Sequence, residues 1–335
     1  MRSEPSQSSA ALEVRDLSVV YPASRGRGPA RAVDGVNLRI GKGEIVALIG
    51  ESGCGKSTLA RALVGLVEPT SGEVLYEDTA LDYSAKGLKR YRRHTQLVLQ
   101  DPGGALNPKQ NVYDAVALGP RLHGLTEGLP LRVHEALSQA GLRPPEDYFD
   151  RYPHEMSGGQ QQRVVIAGVL ALNPSVIVAD EPVASLDASV RGEILKLILG
   201  LRDQLGLSAL VVSHDLGLAW NIADRVAVMY LGRVVEQGTV EEVLLQPQHP
   251  YTRALLSVVP TGADDWRPTL LTGEPPDPTA IPAGCRFHPR CGRWAGASAA
   301  DRASGACDRR ELPVLAPDVS AASCHLLNST TLENV

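Results

Sequence analysis

The residues Gly50-Glu51-Ser52-Gly53-Cys54-Gly55-Lys56-Ser57 fit the pattern G-x-x-x-x-G-K-[ST]. The apolar run Ile45 to Ile49 precedes them, and helix-like text from Lys56 to Leu66 follows, which is the context this pattern requires. Glycines let backbone N–H groups converge on phosphate oxygens without a Cβ in the way, and the helix N-terminus adds positive potential. Lys56 is placed to reach the β- and γ-phosphates of a nucleotide, and Ser57 to offer its hydroxyl to Mg²⁺. A chance glycine turn would match in roughly one chain per hundred of this size, and the correct flanks reduce that further.

Val176-Ile177-Val178-Ala179-Asp180-Glu181 reads as a buried strand ending in two carboxylates. Standing alone, such a strand end is a solvated turn. Beside a phosphate loop, Asp180 would hold Mg²⁺ through water and Glu181 would orient and deprotonate the attacking water. Ser157-Gly158-Gly159-Gln160-Gln161 opens a helix 19 residues before that strand. Its bare physics is a serine cap, two glycines and exposed helix-start amides, an anion site or simply a capped helix.

Four of the five cysteines, Cys285, Cys291, Cys307 and Cys324, lie in one late stretch, separated by five, fifteen and sixteen residues. A reducing compartment disfavours disulfides. Zinc prefers Cys-x₂₋₄-Cys pairs, and none is present. Four thiolates can also hold a [4Fe–4S] cluster with flexible spacing. A cluster, zinc and free thiols all remain open on spacing alone. Cys54, inside the phosphate loop, reads as a small residue tolerated in a tight turn.

These groups need a scaffold, and the rest of the text supplies one. Strand-like stretches are expected at Leu12 to Tyr21, Ala32 to Ile40, Ile45 to Ile49, Val176 to Ala179 and 209–213, with a hairpin-like pair over 225–237. Helical patterns are expected at 111–123, 130–141, 158–172, 188–205 and 215–223, and Thr239 with Glu242 forms a capping box for a further helix. Strands alternating with helices predict an α/β core with a mostly parallel sheet. Residues 1–10 read as a disordered start. After Pro260 the text turns Pro-rich (Pro268, Pro275, Pro276, Pro278, Pro282), a linker or extended wrap over 261–284. The cysteine segment follows over 285–326, then a polar tail over 327–335.

Composition bounds the function. The chain has 335 residues, with 33 Lys+Arg against 38 Asp+Glu, for a formal net charge of −5. The length suggests about two domains. The mild acidity argues against broad nucleic-acid binding, which needs a strongly basic surface. No apolar run reaches the roughly 18 residues of a membrane-spanning helix; the longest clear one, Val164 to Leu172, has nine. Met1 to Ala10 is polar and Ser-rich, without a signal-peptide core. The expectation is a soluble, cytosolic protein.

Met156-Ser157-Gly158-Gly159-Gln160 resembles the signature of ABC-type ATPases, with Met156 where leucine is usual. The order of the other motifs agrees. Gln100 in Leu99-Gln100-Asp101-Pro102 resembles their Q-loop, Ser185-Leu186-Asp187 their D-loop and Ser213-His214-Asp215 their switch histidine, and Tyr21 sits where the adenine-stacking aromatic lies. The resemblance implies a P-loop NTPase (RecA-like) core over 11–260 with a helical ABC subdomain at about 101–160, plus the small C-terminal cysteine-containing segment. It implies ATP and Mg²⁺ as cofactors and a head-to-tail pair, in which each ATP lies between the phosphate loop of one subunit and the signature of the other. The nucleotide-binding residues it implies are Tyr21, Gly50, Ser52, Gly53, Cys54, Gly55, Lys56, Ser57, Thr58, Gln100, Ser157, Gly158, Gly159, Gln160, Asp180 and Asp187. Glu181, His214, Gln100 and Lys56 would carry the chemistry, and Ser57, Gln100 and Asp180 would hold Mg²⁺.

Arg151-Tyr152-Pro153-His154-Glu155, Leu106-Asn107-Pro108 and His249-Pro250-Tyr251-Thr252-Arg253-Ala254-Leu255-Leu256 resemble the oligopeptide/dipeptide importer subfamily, and Pro282-Ala283-Gly284-Cys285-Arg286-Phe287-His288-Pro289-Arg290-Cys291 continues the match. That likeness implies two membrane permease subunits, an external solute-binding protein, and a sister ATPase or a second copy as partner, at the cytoplasmic face of the membrane. It also associates the late cysteines with a [4Fe–4S] cluster, although the gap from Cys291 to Cys307 is longer than usual. The competing class is a soluble, non-transport ABC ATPase acting on DNA or ribosomes. That class usually carries two cores or DNA-binding insertions, and this sequence shows one core and no basic arm.

Overall fold

Ile45–Ile49 contains no polar side chain, and a strand of that kind belongs in the middle of a sheet covered on both faces. A computed structural model of the chain puts it there, with all five residues buried. The structure describes residues 10–23, 26, 28–184, 186–258, 271, 273–303, 307–317 and 319–327. Its strands are β1 (Ala10–Tyr21), β2 (Ala30–Gly41), β3 (Ile45–Ile49), β4 (Ser71–Tyr76), β5 (Thr79–Ala80), β6 (Thr95–Val98), β7 (Val176–Asp180), β8 (Ser208–Ser213), β9 (Arg225–Tyr230), β10 (Arg233–Thr239) and β11 (Ala321–Ala322).

They form two sheets. The larger runs β11-β10-β9-β3-β8-β7-β6, and the smaller runs β2-β1-β4-β5. Pairings β3–β8, β3–β9, β7–β8 and β6–β7 are parallel, while β10 pairs antiparallel with β9 and β11. The expected α/β core with a mostly parallel sheet is therefore present. Its phosphate-loop strand β3 has β8 on one side and β9 on the other, so the loop leaves from the centre of the sheet.

The expected elements recur within a few residues. The helices are Lys56–Leu63, Val112–Leu122, Leu129–Gln139, Gly158–Leu170, Ala188–Leu205 and Leu216–Ile222. The capping box at Thr239 is made both ways, Glu242 N–H donating to Thr239 Oγ1 at 3.2 Å and Thr239 N–H to Glu242 Oε2 at 2.9 Å. Ala10 is a correction to the disordered start, since it opens β1 and is buried. Residues 1–9, 259–260 and part of the Pro-rich linker (261–270 and 272) lie outside the described residues. The stretch 67–99, unassigned from sequence, holds β4, β5, the helix Ala85–His94 and β6.

Among the described residues, three apolar clusters hold the layers together. One lies between the parallel sheet and the helices over 112–201, and it contains Val133, Leu137, Val164 and Ile194. The second lies between the two sheets, around Leu17, Ile40, Leu59 and Val178. In the third, Ile49, Val228, Tyr230 and Tyr251 meet Phe287, Cys285, Cys291 and Cys307. The cysteine segment is thus packed on the ATPase core. Segment 321–322 extends the large sheet at β10, Ser323 N–H donates to Val235 O at 2.8 Å, and Arg225 reaches Pro317 O at 2.8 Å.

Candidate nucleotide site

The phosphate loop joins β3 to the helix Lys56–Leu63, and its glycines are set by close approach. A Cβ on Gly50 would stand 2.2 Å from the Met229 carbonyl oxygen. Gly55 caps the helix at φ 111°, and its Cβ would lie 2.1 Å from Ala32 O. Neither position tolerates a side chain. Lys56 is buried, and its ammonium donates to Gly50 O at 2.7 Å and Glu51 O at 2.9 Å, bracing the loop from inside. The Cys54 thiol is buried beneath the loop, and burial raises its pKa against the opposing pull of Lys56.

The loop faces a cleft of about 620 Å³ lined by Ser52, Gly53, Cys54, Gly55, Lys56, Ser57 and Thr58 together with Gln100, Glu181 and His214. Residues far apart in sequence thus converge as expected. Ser57 Oγ donates to Asp180 Oδ1 at 3.2 Å, which ties the start of the helix to the end of β7. Burial pushes the Asp180 carboxyl up, the Ser57 hydrogen bond pulls it down, and the Glu181 charge raises it again. Glu181 follows at φ 51°, its N–H donating to Val212 O at 2.9 Å, and its carboxylate lies 2.9 Å from His214 Nδ1. A hydroxyl and a carboxylate meeting this way are hard oxygen donors of the kind Mg²⁺ takes, so Ser57 and Asp180 fit that ion.

The signature residues lie elsewhere. Ser157 caps the helix Gly158–Leu170 in a capping box with Gln160 (3.3 Å and 3.0 Å), and Ser157 and Gly158 are exposed. None of Ser157, Gly158, Gly159 or Gln160 lines the cleft. Gly159 packs close to the next helix, where a Cβ would meet Val190 Cγ1 at 2.6 Å. Asp187 caps that helix, exposed and without a side-chain capping bond. Ser185 lies outside the described residues; its neighbours Ala184 and Leu186 are held through their carbonyls by Arg191, at 3.5 Å and 2.7 Å. Tyr21 ends β1, exposed, and is not among the cleft-lining residues.

Sequence reasoning missed Arg31, Ala32, Leu231, Gly232 and Pro278, which complete the cleft wall. No local pattern marks them, because they come from the start of β2, the β9–β10 turn and the chain beyond 273. They are tied in by backbone bonds, Gly232 N–H to Cys54 O at 2.8 Å, Asp34 N–H to Gly232 O at 2.9 Å and Arg31 N–H to Pro278 O at 3.1 Å.

The late cysteines are all free thiols. Burial raises each of them, to about 11 for Cys285 and about 12 for Cys307, and the neighbouring thiols add to the rise at Cys285, Cys291 and Cys307. All four pack in the same apolar cluster, Cys285, Cys291 and Cys307 buried in it and Cys324 against it. Among the described residues, however, no group of three or more His, Cys, Asp or Glu side chains is arranged to hold a metal ion. The donor chemistry suits an iron–sulfur cluster, but the side-chain arrangement does not.

Comparison with known proteins places the chain in a family. Residues 33–184 match the family model described as ABC transporter, and residues 235–295 match the oligopeptide/dipeptide transporter C-terminal region. The chain is 44% identical over 295 residues to the dipeptide transport ATP-binding protein DppF of Escherichia coli, covering 85% of this chain and 87% of that protein. It is 42% identical over 303 residues to DppF of Haemophilus influenzae, covering 87% and 91%. Among solved structures, cbiO1 from Clostridium perfringens, part of the ABC transporter complex cbiONQ, matches with a TM-score of 0.62 at 34% identity, covering 71% of this chain and 92% of that one. The dimeric ABC cassette MJ0796 bound to ADP and Pi matches at 0.61 and 31% identity, covering 68% and 98%. Family model, relatives and cleft agree: the chain belongs to the ATP-binding proteins of ABC transporters, in the oligopeptide/dipeptide importer family, whose members are ATPases that power transport.

Proposed function

We propose that the chain is the ATP-hydrolysing subunit of a peptide importer. The observation that carries this reading is the convergence of Ser57, Gln100, Glu181 and His214 around the phosphate loop while Ser157 and Gly158 stay exposed outside the cleft. That arrangement suits a half-site completed by the signature of a second ATPase, either a copy of this chain or a sister subunit. The loop amides and Lys56 bind the phosphates, and Tyr21 stacks on the base. Ser57, Gln100 and Asp180 hold Mg²⁺, which neutralises phosphate charge when bound. Glu181 takes the proton of the attacking water, and His214, within hydrogen-bond reach of its carboxylate, keeps that base in position.

Transport is coupled through two membrane permease subunits at the cytoplasmic face. Among the described residues no helix is long and apolar enough to cross a membrane, which fits a subunit that is peripheral to it. The functional division is an ATPase domain over 11–260 and a cysteine segment over 285–326. Cys285, Cys291, Cys307 and Cys324 supply the donor type a [4Fe–4S] cluster would take, but among the described residues they are not arranged to hold one. Affinity capture of the tagged chain from solubilised membranes tests the importer reading. The expected result is recovery with a permease pair that turns over ATP faster when a peptide-loaded binding protein is added. Recovery with ribosomes or DNA and no permease would overturn it in favour of a non-transport ABC ATPase.

A further inference from the structure

Glu51 is the second residue of the phosphate loop, and no phosphate chemistry calls for a carboxylate there. A negative charge beside a triphosphate is unfavourable unless something neutralises it. The structure shows what does. Arg290, one residue before Cys291, makes a two-pronged bond to it, Nη1 to Glu51 Oε2 at 2.6 Å and Nη2 to Glu51 Oε1 at 3.0 Å. The guanidinium is 6% exposed and the carboxylate 23% exposed, so the pair is largely shielded from water. The backbone of the same residue is held as well, its N–H donating to the Tyr251 hydroxyl at 2.8 Å.

The anchors are themselves rigid. Tyr251 is fully buried against Tyr230 and Phe287, with ring centroids 4.6 Å and 5.4 Å away. A second band runs in parallel. Arg286, four residues before Arg290, pairs with Asp34 and donates to Leu231 O, and the following Gly232 N–H donates to Cys54 O of the loop at 2.8 Å. Of the segment Cys285 to Cys291, Arg290 thus reaches the loop directly, across 239 residues of sequence at Glu51, and Arg286 holds the Leu231-Gly232 turn that bonds it.

We propose that the cysteine segment is a brace for the phosphate loop, with Arg290 and Tyr251 as positioning residues that fix Glu51 and so preset the loop for the triphosphate. The proposal rests on reading the loop as the ATP site. A bidentate Arg–carboxylate pair sets geometry as well as charge. Losing one partner of a shielded pair leaves the other charge uncompensated, here at the mouth of a phosphate site.

Equilibrium binding of MgATP to the full-length chain, read by displacement of a fluorescent ATP analogue, tests this. Arg290→Ala is expected to weaken MgATP binding by about tenfold, equivalent to about 1.4 kcal/mol. Adding Glu51→Gln to that variant is expected to restore affinity to within about threefold of wild type, because the uncompensated charge is gone. A merely structural role would show the opposite pattern, a lowered melting temperature with no rescue by the second substitution. Tyr251→Phe, which folds without losing its ring, is expected to weaken binding by about threefold through the lost Glu51 N–H acceptor. It carries the test if Arg290→Ala does not fold. Unchanged MgATP affinity in Arg290→Ala, or in Tyr251→Phe where that variant stands in, overturns the brace, as does a double variant no tighter than Arg290→Ala. If wild type itself binds no MgATP, the ATP-site reading fails and the brace with it; failure of the brace alone leaves wild-type binding intact.

Discussion

Glu181 holds its backbone at φ 51°, in the left-handed region that non-glycine residues seldom occupy. The N–H bond to Val212 O and the close His214 ring hold it there, at the carboxyl end of β7. The strain is local, and it turns the side chain into the cleft, which a continuing strand would not do. His249 shows the same economy in another part of the molecule. It caps the helix Pro250–Ser257, with Nδ1 accepting from Tyr251 N–H at 3.1 Å, and burial lowers its pKa to about 3. The folded state therefore stays unprotonated where the unfolded chain, with an ordinary pKa near 6.5, takes up a proton. Stability from this residue is complete above about pH 6.5 and falls as pH drops below it, at up to about 1.4 kcal/mol per pH unit. Glu236, whose carboxyl burial pushes up, acts in the opposite sense nearer the carboxylate range. Chemical denaturation at pH 7.5 and 5.5 is expected to show a larger loss for wild type than for His249→Asn, in which the amide keeps the cap without the titration. Equal losses would remove His249 as the cause.

Whether an element is legible in the sequence depends on whether it carries its own instructions. The loop Gly50 to Ser57 does, because strand, glycines, lysine and helix start are contiguous, and so do the caps at Ser157 and Thr239. The strands β4 and β5 and the helix Ala85–His94 do not. They are short or strongly polar, and their place comes from pairing of β4 with β1 and of β5 with β4, and from Tyr91 and Arg92 bonding to the Leu63 and Val64 carbonyls, rather than from their own period. Nor could the sequence show that the segment over 285–326 docks on the core, since its partners are Asp34, Glu51, Arg225 and Val235. Phe287 is the apolar centre of that docking, 2% exposed among Tyr230, His249 and Tyr251. Phe287→Ala is expected to destabilise the protein by about 3–5 kcal/mol, seen as a lowered thermal midpoint. A midpoint unchanged from wild type would mean that the segment contributes nothing to the fold.

For the whole molecule, the cleft and the signature are separate surfaces of the chain. The cleft gathers phosphate loop, base and metal-side oxygens in one chain, whereas Ser157, Gly158 and Asp187 stand exposed with no role inside it. Under the proposed function, a site divided in this way would be completed by the signature of a second ATPase subunit. The C-terminal segment then acts on the same machine from the other side, by holding Glu51 and the β9–β10 turn. All of this depends on Glu181 being the base that activates water in the cleft. Phosphate release under saturating MgATP, by the assembled transporter carrying wild-type chain or Glu181→Gln, tests that most directly. The account predicts that the variant still binds MgATP while release falls by at least about a hundredfold. Release at the wild-type rate would contradict it.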